Sequence, residues 1–458
     1  MDNQSTSSAM TRIQSLLDES SFVELGALVQ ARSTDFNMAE KKAPSDGVVT
    51  GYGTIDGGLV YVYAQDAAVL GGSMGEMHAK KIANLYDMAM KMGAPVIGLV
   101  DCSGLRLEEA CDSLYGMGRI YHKQTLASGV IPQLTAVFGV AGGGMAVLTA
   151  LSDFVFMEKS NARMFVTAPD AVFGNKDDKI AMAENQEKLG NVDFSGTEEE
   201  ILAEIRKLVA VLPGNNEDYG AYEECTDDLN RSVAGIETMK AEDAVKQIAD
   251  NGVFIKTQRG FAPDVVTGFI QLNGQTVGVV ANKDSSFKWK GALQAAKMVK
   301  FCDAFEIPVL TLADVKGYHN CECNESHMAK AAAQLASAYS NASVPMVTVV
   351  KNAFGTAGMT FGSKALGIDT VYAYPNAQVG VMDAAKAAEI ICADGSDAEK
   401  AEKAKEFAAK QNSALAAAQR GYVDDIIAPE ETRQRVIAAF EMLFTKSVYR
   451  PEKKHSTV

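Results

Sequence analysis

Apolar and polar positions change period along this chain, and the changes recur. Around Gly51, the run GYGTIDGGLVYVYAQD alternates apolar with polar positions and carries a glycine-containing turn, which predicts a β-hairpin. The next segment, GGSMGEMHAKKIANLYDMAMKMGAPVIGLVDCSG, predicts an amphipathic helix, a stop at Pro95, a buried strand and a turn from Asp101 to Gly104. The same succession returns in GFIQLNGQTVGVVANK, starting 217 positions later at Gly268. It continues in SSFKWKGALQAAKMVKFCDAFEIPVLTLADVKG, where Pro308, Asp314 and Gly317 each lie 213 positions after Pro95, Asp101 and Gly104. A third block, SGVIPQLTAVFGVAGGGMAV, matches NASVPMVTVVKNAFGTAGMTF, with Pro132 and Pro345 again 213 apart. Offsets held this closely over three blocks mean two copies of one βαβ-type domain.

Helical patterns alternating with buried apolar strands place the chain in the α/β class, with ligands expected at the carboxyl ends of the strands. The expected division is a first domain over 1–225 and a second over 226–458. The stretch Leu134–Leu151 carries no charge and has the length of a short membrane span. Its three successive glycines, Gly142–Gly144, predict a strand, a tight turn and a buried helix instead.

Composition narrows the function classes. The 458 residues are 47% hydrophobic and 22% charged, which is ordinary for a globular protein. A net charge of −15 argues against nucleic-acid binding, which needs lysine and arginine to neutralise phosphates. Seven scattered cysteines and a polar N-terminus without an apolar signal core predict a reduced, cytoplasmic setting.

Familiar catalytic constellations are missing. There is no HExxH pair or Walker loop, no GxGxxG opens a helix, and there are only five histidines. Backbone amides are then the expected catalytic groups. Gly142-Gly143-Gly144 and Gly355-Thr356-Ala357 stand at equivalent points of the two copies, each between a buried strand and a helix. Small residues there leave N–H groups free to hold a developing oxyanion, although close packing of helix on sheet also demands them. Gly71-Gly72-Ser73-Met74-Gly75 precedes a helix with His78, Lys80 and Lys81, and together with Arg106 it reads as an anion cradle or as solvated surface charge. The segment His319–His327 contains Cys321 and Cys323 but not a standard zinc spacing, so no metal is expected and a pocket-lining loop is. Ala89-Met90-Lys91-Met92 matches the tetrapeptide around biotinylated lysines, but it ends a helix, so Lys91 is not expected to carry biotin.

Several runs resemble the biotin-dependent acyl-CoA carboxyltransferase family: DGVVTGYGTIDG (46–57), GGSMGEMHAKKI (71–82), SGVIPQLTAVFGVAGGG (128–144), FAPDVVTGF (261–269), KMVKFCDAFEIPVLTLADVKGY (297–318) and YVDDIIAPEETR (422–433). The resemblance covers nearly the whole chain. It is nearest in type to propionyl-CoA carboxylase β subunits and to the α subunits of methylmalonyl-CoA and glutaconyl-CoA decarboxylases. It implies two tandem crotonase-like (ClpP/crotonase) domains, each a ββα-superhelix, the first on the CoA side and the second on the biotin side. It also implies a homohexamer, a dimer of trimers, acting on an acyl-CoA thioester. Biotin would come on a partner carrier protein, and further partners would be a biotin carboxylase subunit or the membrane subunits of a decarboxylase. By the same resemblance, Gly143 and Gly144 are the amides that hold the thioester oxygen. Gly355, Thr356 and Ala357 hold the biotin ureido oxygen, and Gly71, Gly72, Ser73 and Arg106 border the CoA. The chain departs from the family at Ala141, Gly142 and Met145, where the family has a Cys-Ala-Gly-Gly-Ala run, at Thr356 in place of a glycine, at Lys351-Asn352 in place of an Arg-Lys pair, and in the loop after Asp314. These departures keep open a sodium-pump decarboxylase α subunit and a non-catalytic paralogue. A crotonase-type hydratase using Glu108 and Glu109 is the third alternative.

Overall fold

Two-residue turns start both repeats. Asp56 and Gly57 have φ of 50° and 81°, and Asn273 and Gly274 have φ of 52° and 76°. Positive φ at both central residues is the hairpin turn whose twist suits its strands, which is why Asp-Gly and Asn-Gly stand there. In the computed structural model, the residues described are 7–32, 36–41, 43–218, 224–451 and 453. They divide into two compact units, Met1–Gly220 with Gln258–Phe261, and Ala221–Thr257 with Ala262–Val458.

The first unit has one main sheet. Its strands are β1 (Val23–Leu25), β2 (Val48–Ile55), β3 (Gly58–Gln65), β4 (Val96–Cys102), β5 (Gln133–Gly142), β6 (Phe154–Glu158), β7 (Arg163–Phe165) and β8 (Phe194–Gly196). The spatial order is β1-β2-β3-β4-β5-β6-β8, with β7 pairing the far end of β5. The hairpin strands pair antiparallel, and β3 onward pair parallel. Helix α1 (Glu76–Met92) connects β3 to β4, α2 (Ala110–Ala127) connects β4 to β5, and α3 (Gly144–Ala150) follows β5 directly. Gly93, at φ 61°, ends α1 in the left-handed conformation, and Pro95 prevents its continuation. The uncharged stretch 134–151 is therefore split between β5, a glycine turn and α3. Among the described residues, no helix is long and apolar enough to cross a membrane.

The second unit repeats this plan. Strands β9 (Ile255–Thr257), β10 (Val265–Leu272), β11 (Gln275–Asn282), β12 (Val309–Val315), β13 (Met346–Phe354), β14 (Thr370–Gly380) and β15 (Asp425–Ile426) lie in sequential order. Helices α4 (Trp289–Ala304) and α5 (Glu322–Asn341) match α1 and α2, and α6 (Gly355–Thr360) follows β13. Beyond β14 come α7 (Ala384–Ile391), α8 (Asp397–Phe407) and α9 (Ala414–Gln419). Each unit closes its own apolar core, the first around Tyr63, Ile82, Val100 and Val137, the second around Val266, Val279, Leu310 and Val347. Sheet pairing slips between Val100 and Cys102 in one unit and between Ala313 and Asp314 in the other. Such bulges re-aim the chain where strands end, and both lie beside the glycine turns.

Candidate active site

In the first unit, β5 runs into Gly143, whose φ of 59° and ψ of −121° suit only glycine. Gly143 donates its N–H to the Phe165 carbonyl of β7 at 2.9 Å. Of the two amides expected in this turn, that of Gly143 is thus already occupied, because β7 lies alongside. Gly144 and Met145 open α3, and helix geometry gives their N–H groups no intrahelical acceptor. Tyr121 donates its hydroxyl to the Gly144 carbonyl at 2.6 Å and so holds the peptide that carries the Met145 N–H.

In the loop before α1, the helix start and Arg106 are taken up by the protein's own groups, while Lys80 is exposed. Helix α1 is capped by the protein's own carboxylates: Asp46 accepts from the His78 N–H at 2.7 Å, and Glu109 from the Glu76 N–H at 2.6 Å. Arg106 lies between these carboxylates, 2.5 Å from Asp46 and 2.6 Å from Glu109, with side-chain exposure of 1%. Two more of its N–H groups go to the Ser73 hydroxyl and the Ser73 carbonyl. Arg106 is therefore a buried clamp. Gly72, at φ 70°, is buried; a Cβ there would stand 2.7 Å from the Asp101 carbonyl. Gly71, at φ 64°, faces open space. His78 donates Nδ1–H to the Asp46 carbonyl and accepts from Gln65 through Nε2. Burial first, then the Arg106 charge, depress it to about 3, so the ring is neutral. Lys81 is also turned inward, onto the carbonyls of Ser45 and Val48, and burial lowers it to about 8.

In the second unit, Gly355 takes φ of 60° after β13 and begins α6. The amides of Gly355, Thr356 and Ala357 form its first turn and lack intrahelical acceptors. Thr356 is exposed and Ala357 is buried. Gly355 and Thr356 line a cavity of about 1000 Å³, together with Val381, Phe407, Asn412 and Tyr422. These wall residues beyond β14 escaped sequence reasoning because nothing in their spacing ties them to Gly355.

Comparison with known proteins settles the class. The family model for the carboxyl transferase domain matches residues 3–458. The propionyl-CoA carboxylase beta chain of Roseobacter denitrificans is 41% identical, over 98% of this chain and 93% of that protein. The methylmalonyl-CoA decarboxylase subunit alpha of Propionigenium modestum is 37% identical, over 100% of this chain and 95% of that protein. Among solved structures, transcarboxylase 12S, a hexamer with methylmalonyl-coenzyme A and methylmalonic acid bound, superposes with a TM-score of 0.94. It is 35% identical, and the match covers 98% of this chain and 92% of that one. The chain belongs to the carboxyl transferase domain family. It is an enzyme of the carboxyltransferase class with two crotonase-like α/β units.

Two features of this carboxyltransferase change meaning accordingly. Glu108 and Glu109 do not form a catalytic carboxylate pair. Glu109 is held by Arg106 and caps α1, and Glu108 pairs with Lys41 at 2.6 Å, which lowers its carboxyl. We expect no hydration of crotonyl-CoA, and Glu108→Gln should leave carboxyl transfer within about twofold of the parent, as for a surface ion pair. Coupled-assay rates of both proteins check this. His319 stands 213 positions after Arg106 and repeats its contact: His319 Nδ1 meets the Ser286 hydroxyl at 3.0 Å, as Arg106 Nε meets Ser73. His327 stacks on Trp289, with ring centroids 4.8 Å apart. Among the described residues, no three His, Cys, Asp or Glu side chains group as metal ligands.

Proposed function

We propose that this chain moves a carboxyl group between biotin on a partner carrier protein and the α-carbon of a short acyl-CoA of the propionyl/methylmalonyl or acetyl/malonyl class. The observation that carries the reading is the pair of glycine turns at matching strand ends, each presenting amides without helical acceptors. Gly144, with Met145, holds the thioester oxygen as negative charge develops on it. Gly143 serves that set through its backbone conformation, since its own N–H is bound to Phe165. Amides fixed in advance need no reorganisation when charge appears, so they lower the barrier to an enolate.

Residues of the second unit fit the biotin group. The cavity has room for a bicyclic urea, its wall at Val381 and Phe407 is apolar, and the amides of Gly355, Thr356 and Ala357 suit a ureido oxygen. Bound biotin supplies the carboxyl acceptor or donor. Gly355 and Thr356 orient it, and the apolar wall excludes water that would hydrolyse or protonate reactive species. Gly71 borders the thioester, while Gly72, Ser73 and Arg106 hold the loop that carries it. The working assembly is a homohexamer, as the transcarboxylase match suggests, with a biotin carrier protein as partner and a cytoplasmic setting.

A second reading is supported by the 37% identity to a methylmalonyl-CoA decarboxylase subunit alpha. In it, the same site works toward decarboxylation beside membrane partner subunits. The deciding experiment incubates the protein with methylmalonyl-CoA or malonyl-CoA and free biotin or a biotinylated carrier. Mass spectrometry should find propionyl-CoA or acetyl-CoA formed only when biotin is present. A folded protein that turns over neither thioester, with carrier supplied, would overturn the reading.

A further inference from the structure

We infer that Asn412 is a positioning residue for the Gly355–Ala357 amides, acting through the strand end beside them. The inference rests on reading those amides as the biotin side of the site. Between α8 and α9, Ala408–Asn412 forms a single π-helical turn, a rare geometry that recurs at functional sites. The turn ends on Asn412, which is 2% exposed. Asn412 Nδ2 donates to the Met382 carbonyl at 2.9 Å. That bond sets the orientation of the amide group, because a flipped amide would place two oxygens together. Its Oδ1 then lies over Gly380, in the space a side chain would take, buried and without a hydrogen-bond partner.

Gly380 and Met382 flank the residue that touches the amide turn. Gly380 pairs with Phe354 in the parallel register of β13 and β14. The Val381 carbonyl stands 3.1 Å from where a Gly355 Cβ would be. Asn412 thus holds the strand end by a hydrogen bond on one side of Val381 and fills the space over Gly380 on the other, and the Val381 carbonyl lies next to Gly355. The π turn is itself held: Ser413 donates to the Ala409 carbonyl at 2.9 Å, and Arg420 to the Lys410 carbonyl at 3.0 Å.

The first unit carries a related arrangement. There, β7 pairs with the strand end before its glycine turn, Gly142 opposite Phe165. A buried carboxamide again reaches that neighbouring strand: Gln186 Nε2 donates to the Met164 carbonyl at 3.3 Å and to the Ile180 carbonyl at 2.7 Å. The surrounding bridges also correspond, Arg163 to Met182 in one unit and Gln378 to Ser413 in the other. The difference is that Asn191 satisfies Gln186 Oε1 at 2.8 Å, whereas Asn412 Oδ1 has no partner. A buried orphan acceptor persists where some other gain offsets it. Here the gain is a fixed strand end.

The test compares Asn412→Ala, Asn412→Asp and Gln186→Ala with the parent protein. Amide hydrogen exchange by mass spectrometry reads the 353–360 segment directly, with no ligand. Asn412→Ala should speed exchange there and leave the 141–147 segment unchanged, and Gln186→Ala should do the reverse. With methylmalonyl-CoA and free biotin, Asn412→Ala should lower kcat on the order of 10–100-fold, the effect of a small misplacement. Its Kd for methylmalonyl-CoA, measured by calorimetry, should stay unchanged. Unaltered exchange and kcat in Asn412→Ala would overturn the inference, as would equal speeding across both segments. If Asn412→Ala does not fold, Asn412→Asp decides. Its protonated carboxyl still donates to Met382, so activity relative to the parent should recover at low pH and fall as the group ionises; a flat ratio counts against positioning. Inactivity of the parent protein would count against the proposed function, and the exchange result would still decide the role of Asn412.

Discussion

Replacing Gly143 by alanine should lower kcat for carboxyl transfer by about 10²–10³, the usual loss for one oxyanion donor. Steric conflict is not the cause, since a Cβ at Gly143 would meet nothing within 4 Å. The cause is torsional. A φ of 59° with ψ of −121° is closed to L side chains, so the variant must turn the peptide between residues 143 and 144. That rotation carries the Gly144 N–H away from the position proposed for holding the thioester oxygen. Because Gly143 already donates to Phe165, a variant that keeps this bond can stay folded while losing the neighbouring amide. Gly144→Ala offers the contrast. Its Cβ would press on the Tyr121 hydroxyl at 2.9 Å and Met117 Cε at 3.0 Å, both far ends of side chains that can shift. We expect Gly144→Ala to be the milder of the two. Steady-state kinetics with methylmalonyl-CoA, alongside circular dichroism, separates them, and parental turnover in Gly143→Ala would remove the first turn from the chemistry.

Arg106→Met should destabilise the first unit by about 3–5 kcal/mol, the range for breaking a buried ion pair from one side. Asp46 and Glu109, whose side chains have exposures of 0%, would both lose the cation they share. Burial already pushes the Asp46 carboxyl up even with Arg106 in place. Both carboxylates also cap α1, so their protonation or escape would loosen the helix start that follows Gly71–Gly75. The triple variant Arg106→Met, Asp46→Asn, Glu109→Gln should recover most of the loss, since no buried charge is then left alone and the amides can still accept from His78 and Glu76. Thermal melts of the single and triple variants check this. A single variant with the parental melt and weakened thioester binding would return Arg106 to direct ligand contact.

The duplication, the α/β class and the places of the glycine turns were legible in the chain alone. Repeat spacing, hairpin turn residues and helix stops are local chemistry, written in consecutive residues such as Asp56-Gly57, Asn273-Gly274 and Pro95. The family resemblance was equally a matter of consecutive runs. What each cation and each amide does was not legible, because partners far apart in sequence decide it. Arg106 and Lys81 look like anion ligands in a chain of net charge −15, yet Asp46, 60 positions before Arg106, and the Ser45 and Val48 carbonyls turn both inward. Gly143 looks like a free donor until β7 brings the Phe165 carbonyl beside it. Asn412 has no local signal at all, and only the pairing of β14 with β13 places its contacts next to Gly355. Sequence determined the repeated unit and where its backbone must bend, because bending is a property of single residues. Tertiary structure determined which donors remain free, because a hydrogen bond or ion pair is consumed by whatever neighbour the fold delivers.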